Sequence, residues 1–374
     1  MELQCLSWIL HIWSELVSTR WIEFQIDNLP GDLIVEILSR LPAEEVLKCR
    51  RVCKKWRTLT STRHFTHKHV KNNASDPIFV LQYGFLEGEL ELYYLDEELN
   101  WMIQKNILRE KRVCTSFMDH TLNDWPMLVD SYDGLLLFHA FKTSNIFICN
   151  PITQEVITLK PPPTPRFARQ GGGDLDDGLI GIFFHSSTKE YRLLYIITHK
   201  NSSYHEYFIL SLGSKIWRSL GTFTHRTTLF ASVISNNSLH WLVPRGSAPC
   251  SESILVFNPD LETFKVLPHP GSQCCSKLCE NYMVLNRTDQ MDGLSLSMIY
   301  DKAIGSSMVI WELKDHQKWG WSKTYLINLD FMNKIDDGLF FRFEQYIGNI
   351  QNNEIVLMGR KRGVYLYNLF TKAI

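Results

Sequence analysis

The chain has 374 residues and a formal net charge of −1 at pH 7, and 45% of its residues are hydrophobic against 21% charged. This composition is typical of a globular protein long enough to bury a sizeable core, and it excludes a fibrous or disordered chain. The near-zero charge gives no reason to expect nucleic acid or an acidic membrane as the main partner.

Residues 1–25 are interpreted as an N-terminal extension. Its start, "MELQCLSWILHIWSEL", contains an apolar run of about ten residues, with no basic segment before it and no small-residue cleavage site after it. Such a run is also too short to span a bilayer. We therefore expect a peripheral helix or a poorly ordered extension rather than a signal peptide.

The nine cysteines are odd in number and irregular in spacing, and Cys274 and Cys275 are adjacent. This pattern is not that of a disulfide scaffold, and it favours a reducing compartment. On this ground we expect the protein in the cytoplasm, the nucleus or both.

Residues 26–71 predict a small helical module with two apolar stripes. Asp27 or Asn28 can cap the first helix, with Pro30 near its first turn. Pro42 ends that helix and opens the next, because the residue before a proline disfavours the helical region. Helical spacing relates Leu33, Ile34, Ile37, Leu38 and Leu41 in the first stripe, and Val46, Cys49, Cys53 and Trp56 in the second.

These two stripes hold more apolar surface than a short pair of helices can bury against itself. About 45 residues is near the lower limit for an independent hydrophobic core. The module is therefore expected either to dock on the rest of the chain or to present apolar surface to another protein, and the residue pattern leaves both readings open.

The stretch "LPGDLIVEILSRLPAEEVLKCRRVCKKWRTLTSTRHFTHKHV" resembles the F-box, the motif by which a receptor subunit holds the Skp adaptor of SCF ubiquitin ligases. The resemblance rests on Asp-Leu-x-x-Glu-Ile-Leu-x-Arg-Leu-Pro followed by Val-Cys-Lys-x-Trp, and it departs at Cys49, where the family more often has Phe. It implies an adaptor-contact surface, although some side chains, Trp56 and Val52 above all, could serve only to pack the helices together. The implied contact residues are Leu29, Pro30, Ile34, Ile37, Leu38, Leu41, Pro42, Leu47, Val52 and Trp56.

A zinc site is the competing interpretation of the same segment. Cys49, Cys53, His64 and His67 have the spacing C-x3-C-x10-H-x2-H, which is close to that of a zinc finger. The histidines are one residue too close, and no β-hairpin precedes the helix. Both cysteines also belong to the apolar stripe, where free cysteine acts as a small hydrophobic residue. The pattern therefore favours no metal here.

From residue 77 to residue 374 the pattern changes to short apolar runs separated by turn residues, which predicts strands. The clearest copies are "IFICNPITQEVITLKPP" and "ILVFNPDLETFKVLPHP", in which Asn150 and Asn258 occupy the same place before a proline. With four weaker copies, the turn positions fall near residues 95, 150, 211, 258, 315 and 368, at intervals of 47 to 61 residues.

Repeats of this length, each with several short strands, predict a β-propeller of about six blades. The runs "NIFIC" and "SILVF" are apolar on both faces, as a strand between neighbouring blades requires. The expected fold class is α+β and multidomain, with a small all-α module before an all-β propeller; a pair of packed β-sandwiches is the alternative. The last copy lacks its return strand, so either an earlier segment completes that blade or the natural end is missing.

This body also resembles the F-box-associated domain, a kelch-like β-propeller common in the large plant F-box family. The resemblance rests on "SYDGLLLF", "CNPITQEVITLKPP", "HSSTKEYRLLYI", "NNSLHWLV", "ILVFNPDLETFKVLP" and "VIWELKDHQKWGWSKTYLI", in this order over almost the whole body. His185 stands where the family usually has Asp before a turn, which puts that turn in doubt. The diglycines of kelch repeats and the Trp-Asp pairs of WD repeats are missing at blade spacing.

No signature of catalysis or cofactor binding is present in the sequence, which has no phosphate loop with a following lysine, no G-x-S-x-G and no H-E-x-x-H. Asp174, Asp176 and Asp177 could suggest calcium but lack the glutamate of an EF-hand loop. His240 lies in a predicted strand, where hydrogen-bonded structure is a better interpretation than a catalytic base. We therefore expect a non-catalytic protein without cofactor or metal.

Together the two resemblances imply the substrate-receptor subunit of an SCF-type ubiquitin ligase. The module would bind the Skp adaptor and, through it, cullin and RING subunits, while the propeller would hold an unknown target protein near the ubiquitin-charged enzyme. An F-box protein that sequesters a partner outside a ligase is the alternative, and a propeller hydrolase or lectin-like binder is a weaker one. Loops at residues 160–178, 243–253 and 269–279 are candidates for target binding.

Overall fold

The computed structural model divides the chain into two compact units, residues 1–75 and residues 76–374. It describes residues 29–72, 79–86, 89–95, 109–110, 126–140, 143–150, 153, 155–163, 178–198, 204–225, 232–244, 248–270, 282–288, 293–302, 305–336, 354–358 and 364–372. The expected N-terminal extension lies outside this part of the chain. Within it, no helix has both the length and the apolar character needed to cross a membrane.

Four short helices make up the described part of the first unit, where the sequence predicts a pair. They are α1 (Gly31–Leu38), α2 (Ala43–Cys49), α3 (Lys54–Thr60) and α4 (Arg63–Asn72). The second predicted helical stretch is interrupted at Cys53, whose backbone is extended with φ −154° and ψ 165°. This interruption lets α3 turn back and pack on α1, which one straight helix from residue 43 to residue 60 could not do.

Prolines start the first two helices, and the prediction that Asp27 or Asn28 caps α1 is wrong. Pro30 is the N-cap residue of α1, and its carbonyl accepts two backbone N–H groups from the first turn at 3.1 and 3.2 Å. Pro42 holds the same position before α2. Both prolines are extended, with φ −53° and ψ 141° or 147°, because the ring fixes φ close to this value.

The four helices share one hydrophobic core. The fourth helix, which the sequence did not anticipate as an element, is fastened to the end of α1 by polar contacts. Asn72 donates from Nδ2 to Oγ of Ser39 at 2.8 Å, and His69 Nε2 lies 2.9 Å from the carbonyl of Leu41, to which it donates. The buried core residues are Ile34, Val35, Leu38, Val46, Cys49, Trp56 and Phe65.

The described residues of the second unit form six antiparallel sheets, numbered 1 to 6, whose strands are neighbours in chain order. Helix α5 (Asp330–Asp336) follows sheet 5. Sheet 1 contains β1 (Phe79–Leu86), β2 (Glu89–Leu95) and β3 (Arg109–Glu110); sheet 2, β4 (Pro126–Tyr132), β5 (Leu135–Ala140), β6 (Ile146–Asn150) and β7 (Glu155–Leu159); sheet 3, β8 (Gly178–His185), β9 (Glu190–Thr198), β10 (His205–Ser211) and β11 (Ile216–Phe223). Sheet 4 contains β12 (Val233–Ser235), β13 (Ser238–Leu242), β14 (Ile254–Asn258) and β15 (Thr263–Leu267); sheet 5, β16 (Tyr282–Arg287), β17 (Leu294–Lys302), β18 (Gly305–Asp315) and β19 (Gly320–Asn328); sheet 6, β20 (Glu354–Met358) and β21 (Val364–Asn368).

Each sheet from 2 to 5 packs face to face on the next sheet along the chain. Four apolar clusters fill the spaces between sheets 2 and 3, 3 and 4, 4 and 5, and 5 and 6. The middle strands are therefore buried on both faces, and β6 and β14 each contain four consecutive buried residues. Four-stranded sheets stacked in chain order are the blades of a β-propeller, as predicted, and are not the two packed sandwiches of the alternative.

The turn positions predicted from the repeats coincide with strand ends. Residues 95, 150, 211, 258, 315 and 368 are the last residues of β2, β6, β10, β14, β18 and β21. At three of them the side-chain oxygen accepts the backbone N–H groups two and three residues later, at 2.9 to 3.0 Å. The residue four places after the turn position has a positive φ of 51° to 56° at Lys215, Glu262, Trp319 and Lys372. The repeats at residues 211, 258, 315 and 368 thus share a left-handed residue at the same place in the turn.

The turn at His185, which the sequence left in doubt, forms by the same means. Nδ1 of His185 accepts the backbone N–H of Thr188 at 3.2 Å and lies 2.8 Å from the hydroxyl of that residue. Lys189 follows with a φ of 54°. An imidazole nitrogen therefore takes the role of the expected carboxylate oxygen.

A buried aspartate joins the first strands of three sheets. The carboxylate of Asp130 in β4 accepts the backbone N–H of Ile182 in β8 at 3.3 Å and the hydroxyl of Ser232, just before β12, at 3.0 Å. Burial raises the pKa of Asp130 to about 7, against the opposing effect of these hydrogen bonds. Asp130 and Ile182 lie near the ends of β4 and β8, and Ser232 immediately precedes β12, so one carboxyl group links the first strands of three consecutive sheets.

Tryptophans connect neighbouring sheets at their outer strands. Nε1 of Trp217, in the fourth strand of sheet 3, donates to the carbonyl of Lys160, just after the fourth strand of sheet 2, at 2.9 Å. Nε1 of Trp319, just before the fourth strand of sheet 5, donates to the carbonyl of Pro268, just after that of sheet 4, at 2.7 Å. The same kind of link thus recurs two sheets further along the chain.

Candidate docking surface

The first apolar stripe of the helical module is divided between its interior and its surface. Ile34 and Leu38 are 2% and 1% exposed, and they face the core together with Val35. Leu33 and Ile37, which are one helical turn apart, are 50% and 41% exposed. The surplus of apolar surface expected from the sequence is therefore present on the outside of α1.

The ten residues of the implied adaptor-contact surface fall into three groups by exposure. Four are exposed, three are half-buried, and three belong to the core of the module. The exposed group is Pro30, Ile37, Pro42 and Val52, the half-buried group is Leu29, Leu41 and Leu47, and the buried group is Ile34, Leu38 and Trp56. The exposed Leu33 was missed, although its spacing of four residues from Ile37 could have identified it.

The two residues whose role the sequence left most open have opposite placements. Trp56 in α3 is 7% exposed and packs in the core, whereas Val52, in the connection between α2 and α3, is 67% exposed. A β-branched side chain this exposed makes little contact with its own module. Val52 is therefore available to a partner, whereas Trp56 packs the helices of the module together.

The polar side of α1 is held by ion pairs with α4 and with its own last turn. Glu36 pairs with Lys68 of α4 and, at its other oxygen, with Arg40 at 2.5 Å. Hydrogen bonding to Lys68 and then to Arg40 lowers the pKa of Glu36. These ion pairs link α1 to α4 on the solvent side of the module.

The zinc interpretation finds no support in the placement of its ligands. Cys49 is 6% exposed within the hydrophobic core. The sulfur of Cys53 accepts the backbone N–H of Trp56 at 3.4 Å and so serves as the N-cap of α3. Among the residues that the structure describes, no three His, Cys, Asp or Glu side chains are grouped as a metal site would need.

In the second unit, His240 of β13 has a structural role. It is 3% exposed, its Nδ1 donates to the carbonyl of Val233 at 3.1 Å, and its ring stacks on Trp319 with a centroid distance of 6.1 Å. Burial lowers its pKa to about 4, so the ring is neutral near pH 7. The calcium candidates Asp174, Asp176 and Asp177 lie outside the described residues.

The three segments considered for target binding begin at the same end of their sheets. Consecutive antiparallel strands place the connections after the first and third strands at one end, and those after the second and fourth at the other. Residues 160–178 follow β7, residues 243–253 follow β13 and residues 269–279 follow β15, so all three belong to the second group. Large parts of these segments, residues 164–177, 245–247 and 271–279, lie outside the described residues.

A helical module with exposed apolar side chains, joined to a β-propeller in one chain, defines a class of modular binding protein. Comparison with family models makes this specific. Residues 90–367 match the F-box associated beta propeller domain, and residues 26–68 match the F-box domain. The chain therefore belongs to the family of F-box proteins that carry this propeller domain.

Curated relatives agree with this assignment over most of the chain. An F-box/kelch-repeat protein of Arabidopsis thaliana is 25% identical, with 92% of this chain and 89% of the relative covered. Another F-box protein of Arabidopsis thaliana is 26% identical, with 81% and 73% covered. Among solved structures, an oligogalacturonate lyase in complex with manganese aligns at a TM-score of 0.42 and 10% identity, over 80% of this chain and 73% of the lyase.

Proposed function

We propose that the protein is the substrate-receptor subunit of an SCF-type ubiquitin ligase. The observation that carries this proposal is the F-box module whose Leu33, Ile37 and Val52 side chains are exposed next to its packed core. In the proposed complex these side chains contact a Skp-type adaptor, which links the chain to cullin and RING subunits. The chain then acts by holding a target close to the ubiquitin-charged enzyme, in the cytoplasm, the nucleus or both, and performs no catalysis itself.

Adaptor binding is tested with substitutions at exposed positions. We expect Leu33→Asp with Val52→Asp to weaken adaptor binding by about a hundredfold, because apolar residues central to an interface contribute most of its affinity. Ile157→Asp with Ile216→Asp, at propeller positions that are 47% and 69% exposed, is the matched control. Undiminished binding of the module variant to immobilised adaptor would contradict the proposal.

The buried members of the contact set do not suit this test. Leu38 and Trp56 are 1% and 7% exposed, so an aspartate at either position places an unpaired charge in the core. Loss of binding by such variants would report unfolding of the module rather than loss of a contact.

We further propose that the target binds at the propeller end that carries the connections after the second and fourth strands. This is supported by the common origin of residues 160–178, 243–253 and 269–279 at that end, opposite the turns after residues 150, 211, 258 and 315, which follow third strands. The described residues offer a matched pair of probes. Tyr204, at the proposed end, is 46% exposed, and Leu261, in a turn at the other end, is 71% exposed.

Replacing either residue by a photo-crosslinking amino acid, in cells treated with a proteasome inhibitor, compares the two ends directly. We expect ubiquitinated proteins to crosslink at position 204 and not at position 261. Preferential crosslinking at position 261 would assign the target to the opposite end.

The alternative of a sequestering F-box protein differs from the proposed role in one measurable step. A receptor supports ubiquitin transfer to its captured target when adaptor, cullin and RING subunits are supplied, whereas a sequestering protein binds the adaptor or target without transfer. Reconstituted transfer therefore separates the two roles.

A further inference from the structure

Charge is distributed unevenly between the helical module and the rest of the chain. Residues 29–72 contain ten Lys and Arg residues and four Asp and Glu residues, a formal charge of +6. The remaining chain contains 29 Lys and Arg residues and 36 Asp and Glu residues, a formal charge of −7. The module is therefore strongly basic although the net charge of the whole chain is only −1. Six of the ten basic residues lie within "KCRRVCKKWR", residues 48–57, which contains no acidic residue.

Within this segment we define the basic surface as Arg51, Val52, Lys54 and Lys55, which connect α2 to α3 and begin α3. All four side chains are exposed, and the apolar Val52 lies between the charged ones. Among the described residues, Arg51 and Lys54 have no carboxylate partner, in contrast to Lys48, which pairs with Glu45 at 2.5 Å. The positive charges of Arg51 and Lys54 are therefore not neutralised within the described module.

Two of these charges also oppose the stability of their own helix. Lys54 and Lys55 open α3, and the first turn of this helix contains no acidic residue. Helix N-termini carry partial positive charge, so lysine is unfavourable there and glutamate or aspartate is preferred. Lys55 donates to the carbonyl of Leu29 at 2.9 Å, whereas no acidic residue of this turn offsets the charge of Lys54. Residues that break a local folding preference in this way are commonly kept for function.

We propose that the basic surface recognises an acidic protein surface that lies beside an apolar pocket for Val52. This inference rests on the proposed function, because it assigns that chemistry to the face of the adaptor that meets the module. Apolar side chains surrounded by charge are typical of protein interfaces. A nucleic-acid ligand fits less well, because the net charge of the rest of the chain is −7 and would repel phosphates.

The test measures association of the full-length protein with immobilised Skp-type adaptor at 50 and 500 mM NaCl. The variant is Arg51→Glu with Lys54→Glu, and Lys318→Glu with Lys323→Glu on exposed propeller positions is the control with the same change of charge. We expect the basic-surface variant to associate about tenfold more slowly at low salt, with a weaker salt dependence, because complementary charge acts mainly on the association rate. The control should behave like the wild type.

A second readout distinguishes lost recognition from lost folding. Lys54→Glu alone should leave the thermal stability of the module unchanged or raise it while slowing association. A lowered stability with normal association would overturn the assignment of this charge to binding.

The outcomes separate this inference from the proposed function. If the wild-type protein does not bind the adaptor, both fail. If it binds, and the basic-surface variant associates at the wild-type rate with the same salt dependence, only the acidic-surface inference fails. Binding of a 20-base-pair DNA duplex by the wild type at 150 mM NaCl, lost in the variant, would replace the acidic protein by a nucleic acid.

Discussion

The helical module and the propeller differ in the size of the apolar core that each buries. In the propeller, each described sheet from 2 to 6 covers its neighbour, and central residues such as Leu137, Leu194 and Leu255 are fully buried between sheets. In the module, Leu33, Ile37 and Val52 stay exposed beside a core of only seven buried residues. The spaces between sheets 2 to 6 are thus filled from within the chain, whereas the exposed apolar side chains of the small module are available to a partner.

The largest expected effect comes from the same substitution in the two units. Trp56→Ala and Trp241→Ala should each cost about 3 to 5 kcal/mol, because both remove a buried indole and leave a cavity. We expect Trp56→Ala to unfold the small module and leave the propeller folded, and Trp241→Ala to lower the melting temperature of the propeller only. Hydrogen exchange read by mass spectrometry follows both units in one sample. Loss of protection in both units from either variant would contradict their independence.

The second effect concerns the buried carboxyl that joins three propeller sheets. The pKa of Asp130 is about 7 in the folded state against 3.8 as its ordinary value, so the folded protein holds this proton more tightly between these two pH values. The free energy of unfolding of the propeller should therefore fall by up to about 4 kcal/mol as pH rises from 4 to 7, and then level off.

Asp130→Asn is the matched comparison for this pH effect. Its side chain is nearly the same in size but does not ionise, so the difference in unfolding free energy between variant and wild type should change over the same pH window. Parallel pH profiles of the two proteins, measured by urea unfolding, would show that Asp130 is not the titrating group.

A smaller effect is expected at the links between outer strands. Trp217→Phe keeps most of the ring but removes the indole N–H that binds the carbonyl of Lys160. The loss should be about 1 kcal/mol, as for one hydrogen bond. Trp319→Phe, which breaks the corresponding bond to Pro268, should lose a similar amount. Calorimetric melting temperatures of the two variants should decrease together, and an unchanged value for either would show that its link does not stabilise the propeller.

The smallest effect is a gain of stability in the module. Cys53 caps α3 through its sulfur, which is a weak acceptor and lies 3.4 Å from the N–H of Trp56. Serine is a preferred N-cap residue, so Cys53→Ser should raise the stability of the module by about 0.5 to 1 kcal/mol. Chemical denaturation of the module with adaptor absent measures this gain, and a loss instead would mean that the packing of the sulfur outweighs its role as a cap.

The parts of the fold that the sequence predicted correctly are those determined by local chemistry. The repeated turns could be located because an Asn or Asp at the end of an apolar run bonds its own backbone two and three residues later, as at Asn258 and Asp315. The double-sided apolar runs at β6 and β14 likewise identified strands buried on both faces. Both features can be identified from residues that are adjacent in the sequence.

The errors arose where tertiary packing decides the outcome. The helix is interrupted at Cys53, and Leu33 and Ile37 are exposed while Ile34 and Leu38 are buried. Both features depend on where α3 and α4 pack against α1. The spacing of apolar residues along one helix carries no information about that packing. Three members of the contact set, Ile34, Leu38 and Trp56, lie in the core of the module, and the set as an adaptor surface stays a prediction. The role of Asp130 depends on residues 52 and 102 positions away in the sequence, Ile182 and Ser232, and could not be read locally.

The most direct test of the difference between the two units is hydrogen exchange of the full-length protein with and without a Skp-type adaptor. If the module is completed by a partner, the adaptor should increase protection of the peptides that contain Leu33, Ile37 and Val52 and leave those of sheets 2 to 5 unchanged. Protection confined to the propeller, or no change in the module at saturating adaptor, would contradict this division of roles.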